Sequence, residues 1–255
     1  MKKFLGKLKW VFIVLLVLVI VMAIAFKSYT GNYYKADSNI INVVKNLFDA
    51  TVHSYSNENG KVFIPVNQKP KAVIVFYPGG KVEYTAYDSL MYAIAAKGYC
   101  CLLPRMPENL AFFKIDAAKK ITQGYEKDRE LVGDIDWYLA GHSLGGVAAA
   151  TYLGEQIDNG EYAGIILCAS YTTTDFSNSG IRLLSIRGSE DKVLNMDNYE
   201  NSKELWPKDS EEIVIDGGIH SYFGSYGIQS GDGTPSITNE AQISFTAQAI
   251  DNWIK

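Results

Sequence analysis

Ile135-Asp136-Trp137-Tyr138-Leu139-Ala140-Gly141-His142-Ser143-Leu144-Gly145-Gly146-Val147-Ala148-Ala149-Ala150 is the stretch whose reading decides the fold. It opens as a short apolar run suited to a buried strand and closes as an Ala-rich segment of good helix formers. Between the two stands Gly141-His142-Ser143-Leu144-Gly145, a G-x-S-x-G pentapeptide at a strand-to-helix turn. So sharp a turn admits only glycine at its flanks and pushes the serine hydroxyl out above the sheet, exposed for nucleophilic attack. The pentapeptide alone is weak evidence, because an ordinary Gly-rich turn can carry the same letters. The strand before it and the helix after it favour the catalytic reading of Ser143.

A serine hydroxyl is a poor nucleophile at neutral pH and needs an adjacent base. The chain has three histidines. His53 lies far from any other signal and reads as a surface residue. His142 sits inside the turn, where its side chain must point away from the serine. That leaves His220, in the Gly-rich run Ile215-Asp216-Gly217-Gly218-Ile219-His220-Ser221-Tyr222-Phe223-Gly224 that follows a predicted strand. The imidazole in turn needs a carboxylate to fix its tautomer. Asp191, closing Gly188-Ser189-Glu190-Asp191 just past another strand, is favoured. Its neighbour Glu190, and Asp175 beside Thr172, Thr173 and Thr174, are the alternatives. The order Ser143, Asp191, His220 is the one this kind of elbow uses. For the developing oxyanion the candidates are the backbone N–H of Leu144 and one from Gly80 or Lys81, in the turn Pro78-Gly79-Gly80-Lys81.

Strand and helix signals alternate on both sides of the elbow. Lys61–Val66 reads as an edge strand, since Pro65 cannot donate to a central ladder. Ala72–Tyr77 is a continuous apolar run, as expected of a strand covered on both faces. A helix over Glu83–Lys97, stopped by Gly98, leads to a strand over Tyr99–Leu103. A helical connection over Asp116–Arg129 precedes the elbow strand. Short β-rich runs follow at Ala163–Ala169, Arg182–Arg187 and Glu212–Ile215, with helical segments at Asn198–Trp206 and Ala241–Ile250. This alternation predicts an α/β fold over residues 61–255, with a mainly parallel sheet and helices on both faces. Tyr84, Tyr87, Tyr222, Phe223 and Tyr226 are candidates either for the aromatic wall of a pocket or for plain core. Arg105 and Lys81 are placed to attract an anionic substrate, or are simply solvated charges.

The composition narrows the remaining classes. The 255 residues carry a net charge of −4 and no basic stripe, which sets nucleic acid aside as a partner. The three cysteines, Cys100, Cys101 and Cys168, have no metal-site or disulfide spacing and read as buried free thiols. The chemistry calls for no metal and no cofactor. At the amino terminus, Lys2, Lys3, Lys7 and Lys9 precede an uncharged run from Trp10 to Phe26 that Lys27 closes. Its helical length, roughly 25 Å, is the lower limit for crossing a bilayer core. Lysines on the cytoplasmic side send the rest of the chain across the membrane. Ala23-Ile24-Ala25 is a possible signal-peptide cleavage site, giving a secreted protein, but the bulk of Val11–Val21 favours an uncleaved anchor over residues 1–27. Residues 28–60 read as a stalk with one amphipathic helix (Ile40, Ile41, Val43, Val44, Leu47, Phe48) that docks on the domain.

From about residue 61 to its end the chain resembles the α/β-hydrolase superfamily, through Gly141-His142-Ser143-Leu144-Gly145-Gly146, Gly188-Ser189-Glu190-Asp191 and the loop of His220. Its compact layout is most similar to the dienelactone-hydrolase-like small esterases. The short span between Ser143 and the acid loop leaves no room for a large cap. Pro78-Gly79-Gly80 departs from the family pattern, standing where many relatives have His-Gly. Gln229-Ser230-Gly231-Asp232-Gly233-Thr234 is also similar to a segment that lies near the histidine in this group, although its residues alone read as a surface loop. The resemblance implies an acyl hydrolase that cleaves an ester, or else a thioester or amide, in a small-molecule or envelope substrate. An acyltransferase acting on cell-envelope material would use the same residues. A membrane-tethered binding protein with a dead site is the reading from another class, and the complete set of Ser143, Asp191 and His220 argues against it.

Overall fold

The computed structural model describes residues 2–124 and 135–255. The chain divides into two compact units, residues 1–33 and 34–255. The first is a single helix, α1 (Lys2–Gly31). Its segment Lys9–Gly31 is long and apolar enough to cross a membrane.

The second unit is built on one eight-stranded sheet. Its strands are β1 (Val52–Asn57), β2 (Gly60–Pro65), β3 (Val73–Tyr77), β4 (Cys100–Pro104), β5 (Trp137–His142), β6 (Gly164–Cys168), β7 (Arg182–Gly188) and β8 (Asp209–Ile215), in the spatial order β1-β2-β4-β3-β5-β6-β7-β8. β1, β2 and β4 pair antiparallel. Every pair from β4 to β8 is parallel. Successive side chains of a strand point to opposite faces, so a strand covered on both sides must be apolar at every position. β3 follows this rule: Ile74 and Phe76 enter the core on one face, and Val73, Val75 and Tyr77 enter it on the other.

Six further helices flank the sheet among the described residues: α2 (Ser38–Phe48), α3 (Asp88–Ala95), α4 (Ala117–Gly124), α5 (Leu144–Gln156), α6 (Met196–Ser202) and α7 (Asn239–Ile254). The Ile74 face packs against Leu90, Met91 and Ile94 of α3 and against Ile243, Ala247 and Ile250 of α7. The Val73 face packs against Ala117, Ala118 and Ile121 of α4 and against Ala148, Ala149, Ala150 and Leu153 of α5. Three consecutive buried alanines let α5 lie close over the strands it follows. The predicted helical connection Asp116–Arg129 is observed as α4, and its remainder lies outside the described residues.

The amino-terminal side of the sheet differs from the expectation. Val52–Asn57, within the predicted stalk, is the edge strand, and the Pro65 strand is second in the sheet. Pro65 is accommodated because the β2–β4 ladder ends at Phe63↔Cys101, before the residue that cannot donate. Unit two therefore begins at Tyr34, whose main chain is bonded to Lys81 and Glu83. In α2, Val44 and Phe48 pack against the core, whereas Val43 and Leu47 of the same predicted face are exposed. His53 is exposed on β1, and all three cysteines are buried and outside any disulfide.

Candidate active site

The loops that matter leave the carboxyl ends of β3, β5, β6, β7 and β8, the edge at which open α/β sheets bind ligands. At the end of β5, Ser143 has φ 51° and ψ −126°, a strained conformation for a side chain with a Cβ. The turn is tight enough that a Cβ on Gly145 would lie 2.2 Å from the Pro78 carbonyl oxygen, and one on Gly141 would lie 2.6 Å from the Gly146 nitrogen. The Ser143 carbonyl accepts from the amides of Gly146 and Val147 and from Ser170 Oγ at 2.7 Å. Its own N–H donates to Cys168 at the end of β6. Two neighbours are strained alongside it: Ala169 has φ 44° and Lys81 φ 58°. Such outliers gather where surrounding structure holds a site in place.

Asp191, in the loop after β7, and His220, after β8, meet. His220 Nδ1 lies 2.9 Å from Asp191 Oδ2, and each side chain is 2% exposed. The other carboxylate oxygen, Oδ1, accepts from the amides of Val193 and Leu194, both at 2.8 Å. One oxygen thus fixes the carboxylate to its own loop and leaves the other for the imidazole. The alternatives do not reach the histidine. Asp175 is exposed and accepts from the Ser177 amide, and Glu190 lies against Ser189.

Ser143 and His220 line one small cleft of about 160 Å³ together with Leu144, Val147, Ala169, Ser170, Tyr171, Val193, Leu194 and Asn195. Tyr171, Val193 and Leu194 are missed by sequence reasoning, since nothing local marks them and only loop packing brings them in. Tyr84, Tyr222 and Arg105 are not among the lining residues. Tyr84 packs on the core, Tyr222 is half-buried and Arg105 is exposed beside β4. Tyr87, Phe223 and Tyr226 are buried core. A second groove of about 310 Å³, lined by Tyr171, Thr172, Thr173, Asn198, Asn201, Ser202 and Leu205, shares Tyr171 with the cleft.

The two candidates for the second oxyanion donor differ. The Lys81 amide already donates to the Asn109 carbonyl at 2.8 Å, which removes it from that role. Gly80 lies against Leu144, where a Cβ would meet the Leu144 side chain at 2.7 Å, so the two main chains are neighbours at the amino end of α5. Amides at the start of a helix lack intrahelical acceptors and favour negative charge.

Beneath the cleft, His142 is buried with its ring centroid 4.6 Å from that of His220. Its Nδ1 and the Tyr87 hydroxyl are 2.8 Å apart, and that hydroxyl accepts from the Gly79 amide at 3.0 Å. Burial pushes the His142 pKa well below the usual histidine range. The neighbouring His220 imidazole acts in the same direction, and the His220 main chain opposes both. His142 is therefore neutral at physiological pH and presents no charge to His220. Through Tyr87 it also ties the elbow to the loop after β3.

Residues 73–244 match the model of a family described as alpha/beta hydrolase. No curated protein matches the sequence. Solved structures share the fold. The Thermus thermophilus protein TT1662 superposes with a TM-score of 0.57 at 15% identity, covering 80% of this chain and 98% of its own. A thermostable esterase from Pseudomonas putida gives 0.57 at 14% identity, with 85% and 90% covered. Carboxyl esterase 2 from the mycorrhizal fungus Tuber melanosporum gives 0.55 at 14%, with 80% and 86% covered.

Proposed function

Since this chain belongs to the alpha/beta hydrolase family, we propose that it is a serine esterase in which Ser143 is the nucleophile, His220 the general base and Asp191 the acid that orients it. The observation that carries this reading is the buried His220–Asp191 hydrogen bond at 2.9 Å, in a cleft shared with the strained Ser143. Ser143 Oγ attacks the ester carbonyl as His220 takes its proton. The oxyanion forms at the amides of Leu144 and Gly80. His220 then protonates the departing alcohol, leaving an acyl group on Ser143, and next activates the water that releases the acid. Asp191 holds the imidazole in place and stabilises the imidazolium.

The size and lining of the site support a compact acyl group. About 160 Å³ walled by Leu144, Val147, Val193 and Leu194 suits a short apolar chain and cannot sequester a long one. The adjoining groove of about 310 Å³ leaves room for the alcohol moiety. Butyryl esters should show higher kcat/KM than palmitoyl esters. In the same reading α1 anchors the protein in a membrane, with residues 34–255 outside the cytoplasm. Membrane fractionation with mass spectrometry of the mature amino terminus tests that placement, and a new terminus at Phe26 would replace the anchor with a cleaved signal.

Covalent labelling by a fluorophosphonate probe tests the nucleophile. Wild type should label, and Ser143→Ala should not while remaining folded. Labelling that persists in the variant would remove Ser143 from the role. Turnover that appears only with an added acceptor alcohol would assign the protein to acyl transfer instead of hydrolysis.

A further inference from the structure

We infer that Asp232 is a positioning residue for His220, acting as a cap supplied from a distant loop; the role rests on the proposed chemistry of His220. The histidine occupies the first position of a short 3-10 turn, His220–Phe223. The opening amides of such a turn have no acceptor within it, and a polar residue just before it normally provides one. Here that place is held by Ile219, which has no side-chain acceptor. Asp232 fills the gap. Its Oδ1 accepts from the His220 amide at 3.3 Å, and its Oδ2 accepts from the Ser221 amide at 2.8 Å and from Ser221 Oγ at 2.5 Å.

The same carboxylate reaches the acid loop. Oδ1 also lies 3.5 Å from the amide of Lys192, the residue after Asp191. Next to it, Gly233 packs directly on that loop, where a Cβ would come within 1.8 Å of the Glu190 carbonyl oxygen. The segment is itself anchored, since the Gln229 amide donates to Ser221 Oγ and the Ser230 amide to the Tyr34 hydroxyl. Gly231-Asp232-Gly233 thus binds the loop carrying the base to the loop carrying the acid. Among the described residues, the hydrogen bonds of the Asp232 carboxylate come from main-chain amides and Ser221 Oγ and none from the His220 ring, so it sets where the imidazole stands and takes no part in proton transfer. Displacement of about 1 Å at a catalytic group costs on the order of a hundredfold.

The test compares wild type, Asp232→Asn and Ser221→Ala as full-length, detergent-solubilised chains. Asparagine keeps the shape but turns one acceptor oxygen into a donor, which in either orientation faces a main-chain amide, that of Ser221 or that of His220. Its kcat on a butyryl ester should fall roughly tenfold to a hundredfold, with KM within about threefold. The low-field proton resonance of the His220–Asp191 hydrogen bond should broaden into exchange, at a temperature where the variant is still folded. Ser221→Ala removes one donor to the carboxylate and should broaden the resonance less, which keeps the test open if Asp232→Asn does not fold. An unchanged resonance in either folded variant, or a kcat for Asp232→Asn within threefold of wild type, would overturn the assignment. The resonance needs no turnover. A wild type that fails to label with fluorophosphonate would defeat the esterase reading, and the resonance would still decide what Asp232 does.

Discussion

The elbow and the loops proposed to carry the acid and the base deliver side chains to the same cleft by opposite means. The elbow is steric: Gly141 and Gly145 sit within five residues of each other, and main-chain contacts leave no room for a Cβ at either. The one remote part is the end of β3, where the Tyr77 and Pro78 carbonyl oxygens crowd Gly145. The acid–base side is a set of side-chain-to-backbone hydrogen bonds between separate loops, with Asp191 capping Val193 and Leu194 and Asp232 capping His220 and Ser221. A steric device fails all at once when a methyl group is added, whereas a hydrogen-bonded one loosens by degrees as partners are removed.

Among changes that leave the Ser143 hydroxyl in place, the largest effect on turnover should come from the hydrogen-bonded side. Asp191→Asn keeps the volume but favours the wrong imidazole tautomer, and kcat should fall on the order of 10⁴. Asp175→Asn, on an exposed loop, should cost less than tenfold. Steady-state kinetics on one ester ranks the two, and the reverse ranking would move the acid to the loop after β6.

Gly145→Ala probes the steric side. Its Cβ would press on the carbonyl oxygens of Pro78 and Tyr77, at 2.2 and 2.3 Å, neither of which can rotate away. Destabilisation should reach about 3 kcal/mol, the upper end for overpacking, or roughly 10 °C in Tm for a domain of this size. Thermal denaturation measures it, and a Tm within 2 °C of wild type would mean the turn is softer than its geometry.

Tyr87→Phe tests the link between the elbow and the loop after β3. It strands the Gly79 amide and His142 Nδ1 in the core, at a cost of about 1–3 kcal/mol. With Gly80 less firmly held, kcat should drop about tenfold with KM little changed. Loss of stability without loss of kcat would separate Tyr87 from the oxyanion site.

The smallest effect on activity is expected at the opposite edge of the sheet, where Asp251 of α7 bonds Lys71 and Tyr99, which precede β3 and β4. Burial by itself would raise the Asp251 pKa, but hydrogen bonds from Lys255, Lys71 and Tyr99 outweigh it and bring the group from 3.8 to about 2. A depressed folded-state pKa adds stability that is present above pH 3.8 and lost as pH falls from there toward 2. Asp251→Asn should therefore lower Tm at pH 7, lower it less at pH 3, and leave kcat unchanged. A kcat loss here would show that this edge is coupled to the cleft.

The central strands were readable because each is a continuous apolar run, and burial on both faces leaves no other reading. β1 was missed because its sequence, Val52-His53-Ser54-Tyr55-Ser56-Asn57, buries only Val52. As the edge strand it needs little apolar surface, so its signal resembles that of a polar stalk. The aromatic residues stayed open between pocket wall and core for a related reason. Composition shows that Tyr84, Tyr87, Tyr222, Phe223 and Tyr226 are large and apolar, but not whether they face the cleft or the layer beneath it.

The sequence alone determined the layered α/β order, the apolar helix at the amino terminus and the place of Ser143, because periodicity, hydrophobic runs and the strand–Gly-Ser-Gly–helix pattern are all read within a few residues. Tertiary structure decided which carboxylate meets His220, that the Lys81 amide is already used, that His142 lies neutral behind His220, and that Asp232 holds the histidine loop. Each of these is a contact between groups from separate loops. Whether such a contact forms depends on where the folded sheet sets the loop ends, a distance that no local pattern of residues encodes.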